Sequence, residues 1–220
     1  MAKITVILPA FNEEWAIGKV IDEIGALPLD CQVIVADGGS QDLTIVEAKK
    51  RGAYVVIEMR KGKGIAFRTA LNYVETPFTV MMDADYTYPA LAIAPIVSSL
   101  ATGADAVMGI RKYRVKGSMT LTNRFGNRCL SLMASMLYGV RTQDVCTGMW
   151  GFKTDVLKGF DIRSVGFTLE AELFINAVRN KCEIRQIPIA YRGRQDGSKP
   201  KLKMRDGFKI GWFLMRGRFR

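Results

Sequence analysis

The sequence predicts one α/β domain built on a mostly parallel sheet with helices on both faces. Three observations carry this. Short β-branched runs alternate with amphipathic stretches of helical length, the signature of βαβ units. The runs are almost continuously apolar, as in strands covered on both faces. Polar residues gather directly after four successive runs, where an open parallel sheet presents its ligand crevice.

Ile4 to Leu8 reads as the first strand, stopped by Pro9. Asn12-Glu13-Glu14 opens a helix running to about Leu27, with Asn12 as its cap and acids in the first turn. Val33 to Ala36 is the second strand, ended by Asp37-Gly38-Gly39-Ser40, and Leu43 to Arg51 a second helix. Ala53 to Glu58 is a third strand. Gly62 and Gly64 bracket a turn before a helix from Ile65 to Tyr73. Phe78 to Met82 is the fourth strand, delivering Asp83. A helix follows Pro89 to Ala101, then a strand at Ala106 to Ile110 and a long amphipathic helix from Asn123 to Tyr138. Met149 to Phe152 reads as strand, Leu169 to Asn180 as helix and Ile184 to Tyr191 as the last strand. No repeat and no Gly-, Pro- or Ser-rich linker interrupts the pattern. The expected organisation is a single domain over 1–204, followed by a basic amphipathic segment over 205–220.

The chain has 220 residues, is 49% apolar and carries a net charge of +11. A sizeable core is therefore affordable by composition, and the charge asks for an anionic partner. That charge is uneven. Arg192 to Arg220 holds ten Lys or Arg against Asp196 and Asp206, and Ala106 to Val140 holds six with no acid. Histidine is absent, which excludes Ser-His and Cys-His catalysis and any His-ligated metal. Cys31, Cys129, Cys146 and Cys182 lack CxxC spacing, so a zinc site is not expected. They read as buried thiols, with a disulfide pair left open. The start has no signal-peptide pattern, and no apolar run is long enough for a membrane span. The Trp- and Phe-bearing basic end resembles the approach to a membrane.

Asp83-Ala84-Asp85 is the centre of the chemistry. A strand end projects both carboxylates towards one ligand, and hard cations such as Mg²⁺ or Mn²⁺ take carboxylate and phosphate oxygens. Alone, an Asp-x-Asp is equally a turn acid and a helix cap. Beside three other polar strand ends it becomes a metal–diphosphate grip. In Asp37-Gly38-Gly39-Ser40-Gln41-Asp42 the carboxylate of Asp37 can accept from a base or ribose, or the segment is a plain strand-to-helix turn capped by Ser40 or Asp42. Arg60-Lys61-Gly62-Lys63-Gly64 offers donors to an anion at a helix start, without Walker spacing, and is otherwise a solvated basic turn. Glu170 and Glu172 share a helical turn, and either is a candidate general base or a helix-start acid. Arg192, Arg194, Ser198, Lys199, Lys201 and Lys203 form a cluster suited to phosphate, or a generic basic tail.

Together these segments resemble the family 2 glycosyltransferases of the Rossmann-like GT-A fold, and more narrowly the dolichyl- or polyprenyl-phosphate hexosyltransferases of the dolichol-phosphate mannose synthase group. The resemblance runs from Ile4 to about Leu202. Leu8-Pro9-Ala10-Phe11-Asn12-Glu13-Glu14 is similar to the family's nucleotide-binding segment. Asp37-Gly38-Gly39-Ser40-Gln41-Asp42 resembles its Asp-Asp-Gly-Ser-x-Asp turn, with Gly38 in place of the second Asp. Gly62-Lys63-Gly64 resembles its glycine-rich segment and Asp83-Ala84-Asp85 its metal motif, although Thr87-Tyr88-Pro89 stands where the family often has His or Gln. Gly109-Ile110-Arg111, Asn123-Arg124 to Ser131, Asp144 to Phe152, and Arg194 to Lys199 resemble the acceptor half.

The resemblance implies a metal-dependent inverting hexosyltransferase. Its nucleotide-sugar donor, GDP-mannose by the same resemblance, is held by Pro9, Ala10, Phe11, Asn12, Glu13, Asp37, Lys63, Asp83, Ala84, Asp85, Arg194 and Lys199. Its cofactor is Mg²⁺ or Mn²⁺ on Asp83 and Asp85. Dolichyl or polyprenyl phosphate is the implied acceptor, positioned by Arg111, Arg124 and Arg194 without a general base. If the acceptor is instead a sugar hydroxyl, as in polysaccharide synthases, Glu170 or Glu172 must serve as base. UDP-glucose or UDP-GlcNAc would use much the same residues. The expected location is the cytoplasmic face of a membrane, on an anionic surface. Nucleic acid is not an expected partner, because uncompensated acidic strand ends repel phosphate. A nucleotidyltransferase is disfavoured by Pro9-Ala10-Phe11-Asn12, which replaces a glycine-rich, arginine-containing loop.

Overall fold

The computed structural model describes residues 3–114, 118–193 and 204–219. Among the described residues, seven strands form one sheet: β1 (Ile4–Ala10), β2 (Cys31–Asp37), β3 (Tyr54–Ile57), β4 (Phe78–Met82), β5 (Ala106–Arg114), β6 (Met149–Lys153) and β7 (Ile184–Tyr191). Their order is β3-β2-β1-β4-β6-β5-β7. The first four strands pair in parallel, β5 pairs in parallel with β7, and β6 runs antiparallel to both β4 and β5. The sheet is thus mostly parallel, as the sequence predicts.

Helices α1 (Ile17–Gly25), α2 (Thr44–Lys50), α3 (Lys63–Leu71), α4 (Ile93–Ala101), α5 (Leu121–Tyr138), α6 (Thr154–Lys158), α7 (Leu169–Arg179) and α8 (Met204–Arg218) cover it. Two apolar layers result. Ile4, Val6 and Leu8 of β1 point to the layer of α1 and α4, with Ile17, Val20, Ile24, Ile93 and Ile96. Ile7 points the other way, to Phe67 of α3, Ala134 of α5, Phe174 of α7 and Leu214 of α8. The period-two alternation of a strand puts both layers within reach of one apolar run. Each wholly buried Ile or Leu contributes about 1.5–3 kcal/mol.

The chain winds from β1 through β2 to β3 on one side, then returns to β4 on the other side of β1. That reversal is a topological switch point, where a crevice opens at the strands' carboxyl ends. It lies between the residues after β1 and the Asp83 that follows β4.

The start of α1 departs from expectation. The helix begins at Ile17, and Asn12 is not its cap. Asn12 sits in the left-handed region, φ 50°, which Asn tolerates better than most residues. Its N–H donates to Ser40 Oγ and its Oδ1 accepts from the Gln41 N–H, each at 2.9 Å. Glu14 likewise accepts from the Leu43 N–H. Bonds across to the loop after β2 replace those of a first helical turn. Helix α4 is also shortened, because Ala90–Ala92 forms a 3₁₀ turn. Helix α5 starts slightly early, at Leu121, capped by Thr120 accepting from the Asn123 N–H, and ends on Gly139 at φ 69°. The short α6 gives no periodic signal of its own in sequence. All four cysteines are free thiols. Cys129 is exposed and the others only half-buried, which corrects the expectation of four buried thiols.

Candidate active site

The first wall of the crevice comes from β1 and β2. Pro9 and Ala10 pair in register with Ala36 and Asp37. Beyond them Phe11 is 38% exposed, an aromatic face at the crevice edge, while Glu13 is buried. Asp37 is fully buried. Its Oδ1 accepts from the N–H groups of Gly39 and Ser40 at 2.9 and 2.8 Å, and its Oδ2 from the Ser40 hydroxyl at 2.5 Å. The carboxylate is thereby engaged by its own turn, whereas the sequence offers Ser40 or Asp42 as the capping residue.

The floor is Asp83-Ala84-Asp85. Asp85 is buried, and its Oδ1 accepts from the Thr87 N–H and hydroxyl at 3.2 and 2.6 Å. Ala84 is buried between the two acids. Asp83 remains partly open, its side chain 30% exposed. Behind it stands Gly148, just before β6. A Cβ there would fall 2.0 Å from Asp83 Oδ2, so glycine is what lets the carboxylate lie where it does.

Lys63, the first residue of α3, closes the front. Its Nζ lies 2.5 Å from Asp83 Oδ1 and also donates to Glu170 Oε1. The aim of Lys63 is set by backbone packing. Gly62 has φ 140°, and a Cβ on it would sit 2.1 Å from the Val165 carbonyl oxygen. A Cβ on Gly64 would sit 2.1 Å from that of Ser164. Glu172 holds this opposing segment, accepting from the N–H groups of Arg163 and Ser164 at 3.0 and 2.8 Å. Two residues are about 200° apart around a helix, so Glu170 meets Lys63 while Glu172 faces away. Of the two candidate bases, the crevice receives Glu170.

Burial opposes the charge on Lys63, but the carboxylates of Asp83 and Glu170 outweigh it and raise its pKa. Burial likewise pushes the Glu170 carboxyl up, and Lys63 only partly offsets this. The three groups form one charged knot joining β4, α3 and α7.

Arg111, on β5, is expected from the sequence to meet the acceptor, but its fork is already engaged. Nε and Nη2 donate to Asp144 at 2.8 and 2.6 Å, and Nη2 also reaches the Cys146 carbonyl at 3.1 Å. Asp144 is fully buried and also accepts from Asn127 Nδ2 of α5 at 2.8 Å. Burial works against the guanidinium charge, and neighbouring Tyr88 and Asp144 more than restore it. Arg111 also lies over the Tyr191 ring, 5.2 Å from its centroid, and Tyr191 meets Tyr88 edge-on at 5.2 Å. The Tyr88 hydroxyl accepts from the Gly148 N–H at 2.7 Å. A buried chain thus runs from Asp83 through Gly148, Tyr88, Tyr191 and Arg111 to Asp144 and α5. Burial also pushes the Cys146 thiol beside it up to about 12. Arg124, on α5, is exposed and has no ion-pair partner among the described residues. Arg194 and Lys199 lie outside the described residues.

Asp144, Tyr88, Tyr191 and Gly148 were not singled out individually from the sequence. Asp144 had a signal: it is the first acid after a long basic stretch. Beside the floor, Tyr86 sits at φ 64°, an uncommon conformation for a bulky residue. It donates to Glu23 at 2.8 Å and lies under Arg192, 4.7 Å from its ring.

Residues 5–160 match the family model described as glycosyl transferase family 2. The chain belongs to this family. It is 31% identical over 207 residues to glycosyltransferase AglJ of Haloferax volcanii, covering 93% of this chain and 68% of that one. It is 32% identical over 197 residues to the dolichyl-phosphate hexose transferase of the same organism, covering 89% and 86%. The glucosyl-3-phosphoglycerate synthase of Mycobacterium tuberculosis, solved with Mn²⁺ and UDP-glucose, superposes with a TM-score of 0.76 over 98% of this chain and 77% of that chain, at 24% identity. That likeness shows the GT-A fold. The family 2 enzyme is a nucleotide-sugar-dependent glycosyltransferase.

Proposed function

We propose that this glycosyltransferase moves a hexose from a nucleoside diphosphate sugar to dolichyl or polyprenyl phosphate at an anionic membrane surface. One observation carries the lipid part: α5 has two working faces. Its inner face sends Asn127 to Asp144 and the buried chain behind Asp83. Its outer face exposes Leu121, Phe125, Leu132 and Met136 at i, i+4, i+11 and i+15, with Arg124 and Arg128 beside them. Helix α8 packs against α5 through its buried Ile210 and Leu214 side, with the Tyr138 hydroxyl donating to the Leu214 carbonyl at 2.8 Å. It exposes Phe208, Trp212 and Met215 at i, i+4 and i+7, and Phe219 just past its end is exposed as well. Apolar stripes flanked by cations suit the headgroup region, where each basic residue is worth about 1 kcal/mol. Residues 205–220 are thus proposed as an interfacial segment, lying on the bilayer. No helix among the described residues is long and apolar enough to cross it.

Mg²⁺ or Mn²⁺ would be held by Asp83 and Asp85. The donor set fits: hard carboxylate oxygens, with Asp83 already holding a cation, the Lys63 ammonium. The described residues include no group of three His, Cys, Asp or Glu that could cage an ion, which suits a metal completed by substrate phosphates and water. Such an ion, when bound, neutralises charge on the departing diphosphate. The crevice wall of Pro9, Ala10, Phe11, Asn12, Glu13 and Asp37 would receive the nucleoside. An acceptor phosphate is already an anion and needs no base, so Arg124, with Arg194 and Lys199, would draw it in while Arg111 braces the wall.

A sugar-hydroxyl acceptor is the second reading, favoured by the position of Glu170 beside Asp83, where a general base is required. GDP-mannose is the proposed donor by resemblance, with UDP-glucose and UDP-GlcNAc as competing arms of the test. Each radiolabelled donor is incubated with dolichyl phosphate in vesicles, with and without Mn²⁺. Label in the lipid extract, dependent on metal and lost in Asp85→Ala, is the expected result. No lipid-linked sugar from any donor refutes the acceptor, and full activity in Asp85→Ala refutes the metal site.

A further inference from the structure

Lys63 stands where a second cation would have to act. Its ammonium is held between Asp83 Oδ1 and Glu170 Oε1, with a side chain only 14% exposed. Three backbone contacts keep it there: the Gly64 N–H donates to the Val165 carbonyl at 3.0 Å, and Gly62 and Gly64 press against residues 164–165. On its other side Asp83 meets Gly148, whose α-carbon leaves no room for even a methyl group beside Oδ2. Asp83 is therefore flanked at both oxygens, by Gly148 at Oδ2 and by Lys63 at Oδ1.

We propose, resting on the metal reading of Asp83 and Asp85, that Lys63 is a resident counter-ion that couples metal binding to nucleotide binding. A divalent cation reaching Asp83 competes with the Lys63 ammonium for Oδ1, so the metal alone binds weakly. Released from Asp83, the ammonium keeps Glu170 and turns its remaining donors to an anion arriving with the metal. A nucleoside diphosphate supplies that anion and takes up the displaced charge. Metal and diphosphate thereby strengthen each other's binding, and by linkage the effect is reciprocal. In this scheme Lys63 stops the carboxylates from trapping a bare metal and reserves the site for the metal–nucleotide complex.

The test is Mn²⁺ binding to the whole protein, read from the paramagnetic resonance signal of free Mn²⁺, with no turnover required. Each protein is titrated alone and with saturating GDP or UDP. Wild type should bind Mn²⁺ at least tenfold more tightly with a nucleotide than without. Lys63→Gln should bind Mn²⁺ alone at least tenfold more tightly than wild type and lose most of the nucleotide-induced gain. Lys61→Gln removes an exposed charge on the same loop and should shift Mn²⁺ affinity less than twofold, separating occupancy of Asp83 from general repulsion. Lys63→Arg retains the cation and fold, and should bind bare Mn²⁺ no more tightly than wild type. Unchanged or weaker Mn²⁺ binding in Lys63→Gln overturns the proposal, as does tighter binding in Lys63→Arg or a Lys61→Gln shift equal to that of Lys63→Gln. If wild type binds Mn²⁺ with neither nucleotide, the metal reading of Asp83 and Asp85 falls with it. Normal synergy that survives Lys63→Gln overturns the role of Lys63 alone.

Discussion

Replacing Asp144 by Asn should be among the most damaging single changes in this chain, and it should act through stability. Asp144 is fully buried and accepts three bonds from Arg111, from N at 3.0 Å, Nε at 2.8 Å and Nη2 at 2.6 Å, plus one from Asn127. Arg111 is itself buried, 7% exposed, so the neutral amide leaves its guanidinium without a counter-charge and out of reach of water. Removing one partner of a buried pair costs about 3–5 kcal/mol. For a chain of this size each kcal/mol moves the melting temperature by about 2–4 °C, giving a drop of roughly 6–20 °C. Removing both charges should be milder, because Arg111→Met/Asp144→Leu leaves nothing uncompensated. Thermal and urea unfolding of the two singles and the double give the coupling energy directly. Singles that cost under about 1 kcal/mol, or a double as costly as their sum, refute this account of the pair. An Arg111 free to hold the acceptor phosphate would behave differently: Asp144→Asn would then raise KM for lipid phosphate and leave the melting temperature alone.

Four further outcomes are expected. Gly148→Ala places a methyl group 2.0 Å from Asp83 Oδ2; relieving that contact shifts the carboxylate by about 1 Å, a misplacement that costs about 100-fold in rate, so kcat/KM for sugar transfer should fall to that degree with little change in melting temperature. Gly151→Ala puts its Cβ 2.2 Å from Ile96 Cγ2 across the β6–α4 contact; overpacking costs about 1–3 kcal/mol, and urea unfolding should show Ile96→Ala recovering part of it in the double variant. At Glu23, burial raises the pKa, but Arg192, Tyr86 and the Ala90 N–H together hold it below the ordinary carboxylate range. Its contribution is thus present above the unfolded glutamate value of about 4.3 and lost as pH falls through the lowered folded value; the stability gap between wild type and Glu23→Gln should close over that acid window. Phe125→Ser/Trp212→Ser should lower partitioning onto phosphatidylserine vesicles by at least ~10-fold, since each ring forfeits about 1.5–3 kcal/mol of burial, while an unaltered partition coefficient would remove the membrane face from α5 and α8.

The alternation of strands and helices was legible because each apolar run is continuous and each strand end is polar. The position of Asp83 and Asp85 directly after a strand was legible for the same reason, because β4 ends at Met82. Asn12 misled because an Asn followed by two acids carries the signal of a helix start. Its actual partners, Ser40 and Gln41, are supplied by a loop almost thirty residues on. The arginines could not be told apart in sequence. Sequence gives Arg111 and Arg124 the same charge and the same basic surroundings. Only the fold brings Asp144 against Arg111, 33 positions away, and leaves Arg124 exposed. Glu170 and Glu172 were separable by helical geometry alone, yet which of them faces the crevice required the position of α7 relative to Lys63.

The buried chain behind the site gives those long-range pairings a common purpose. Asp83 lies against Gly148, Gly148 is bonded to Tyr88, and Tyr88 touches Tyr191 under Arg111. Arg111 then fixes Asp144, and Asp144 fixes Asn127 on the inner face of α5. Every link is a hydrogen bond or a direct side-chain contact, and packed interiors transmit displacement rather than absorb it. A helix whose outer face rests on a bilayer would therefore carry its position inward to Asp83, the carboxylate proposed to hold the donor's metal. Tyr88→Phe isolates this connection, because it removes one hydroxyl from the middle of the chain and touches neither end. If the chain orients Asp83, the variant should lose activity towards the lipid acceptor while retaining its attachment to vesicles. Equal loss of both would assign Tyr88 to stability alone.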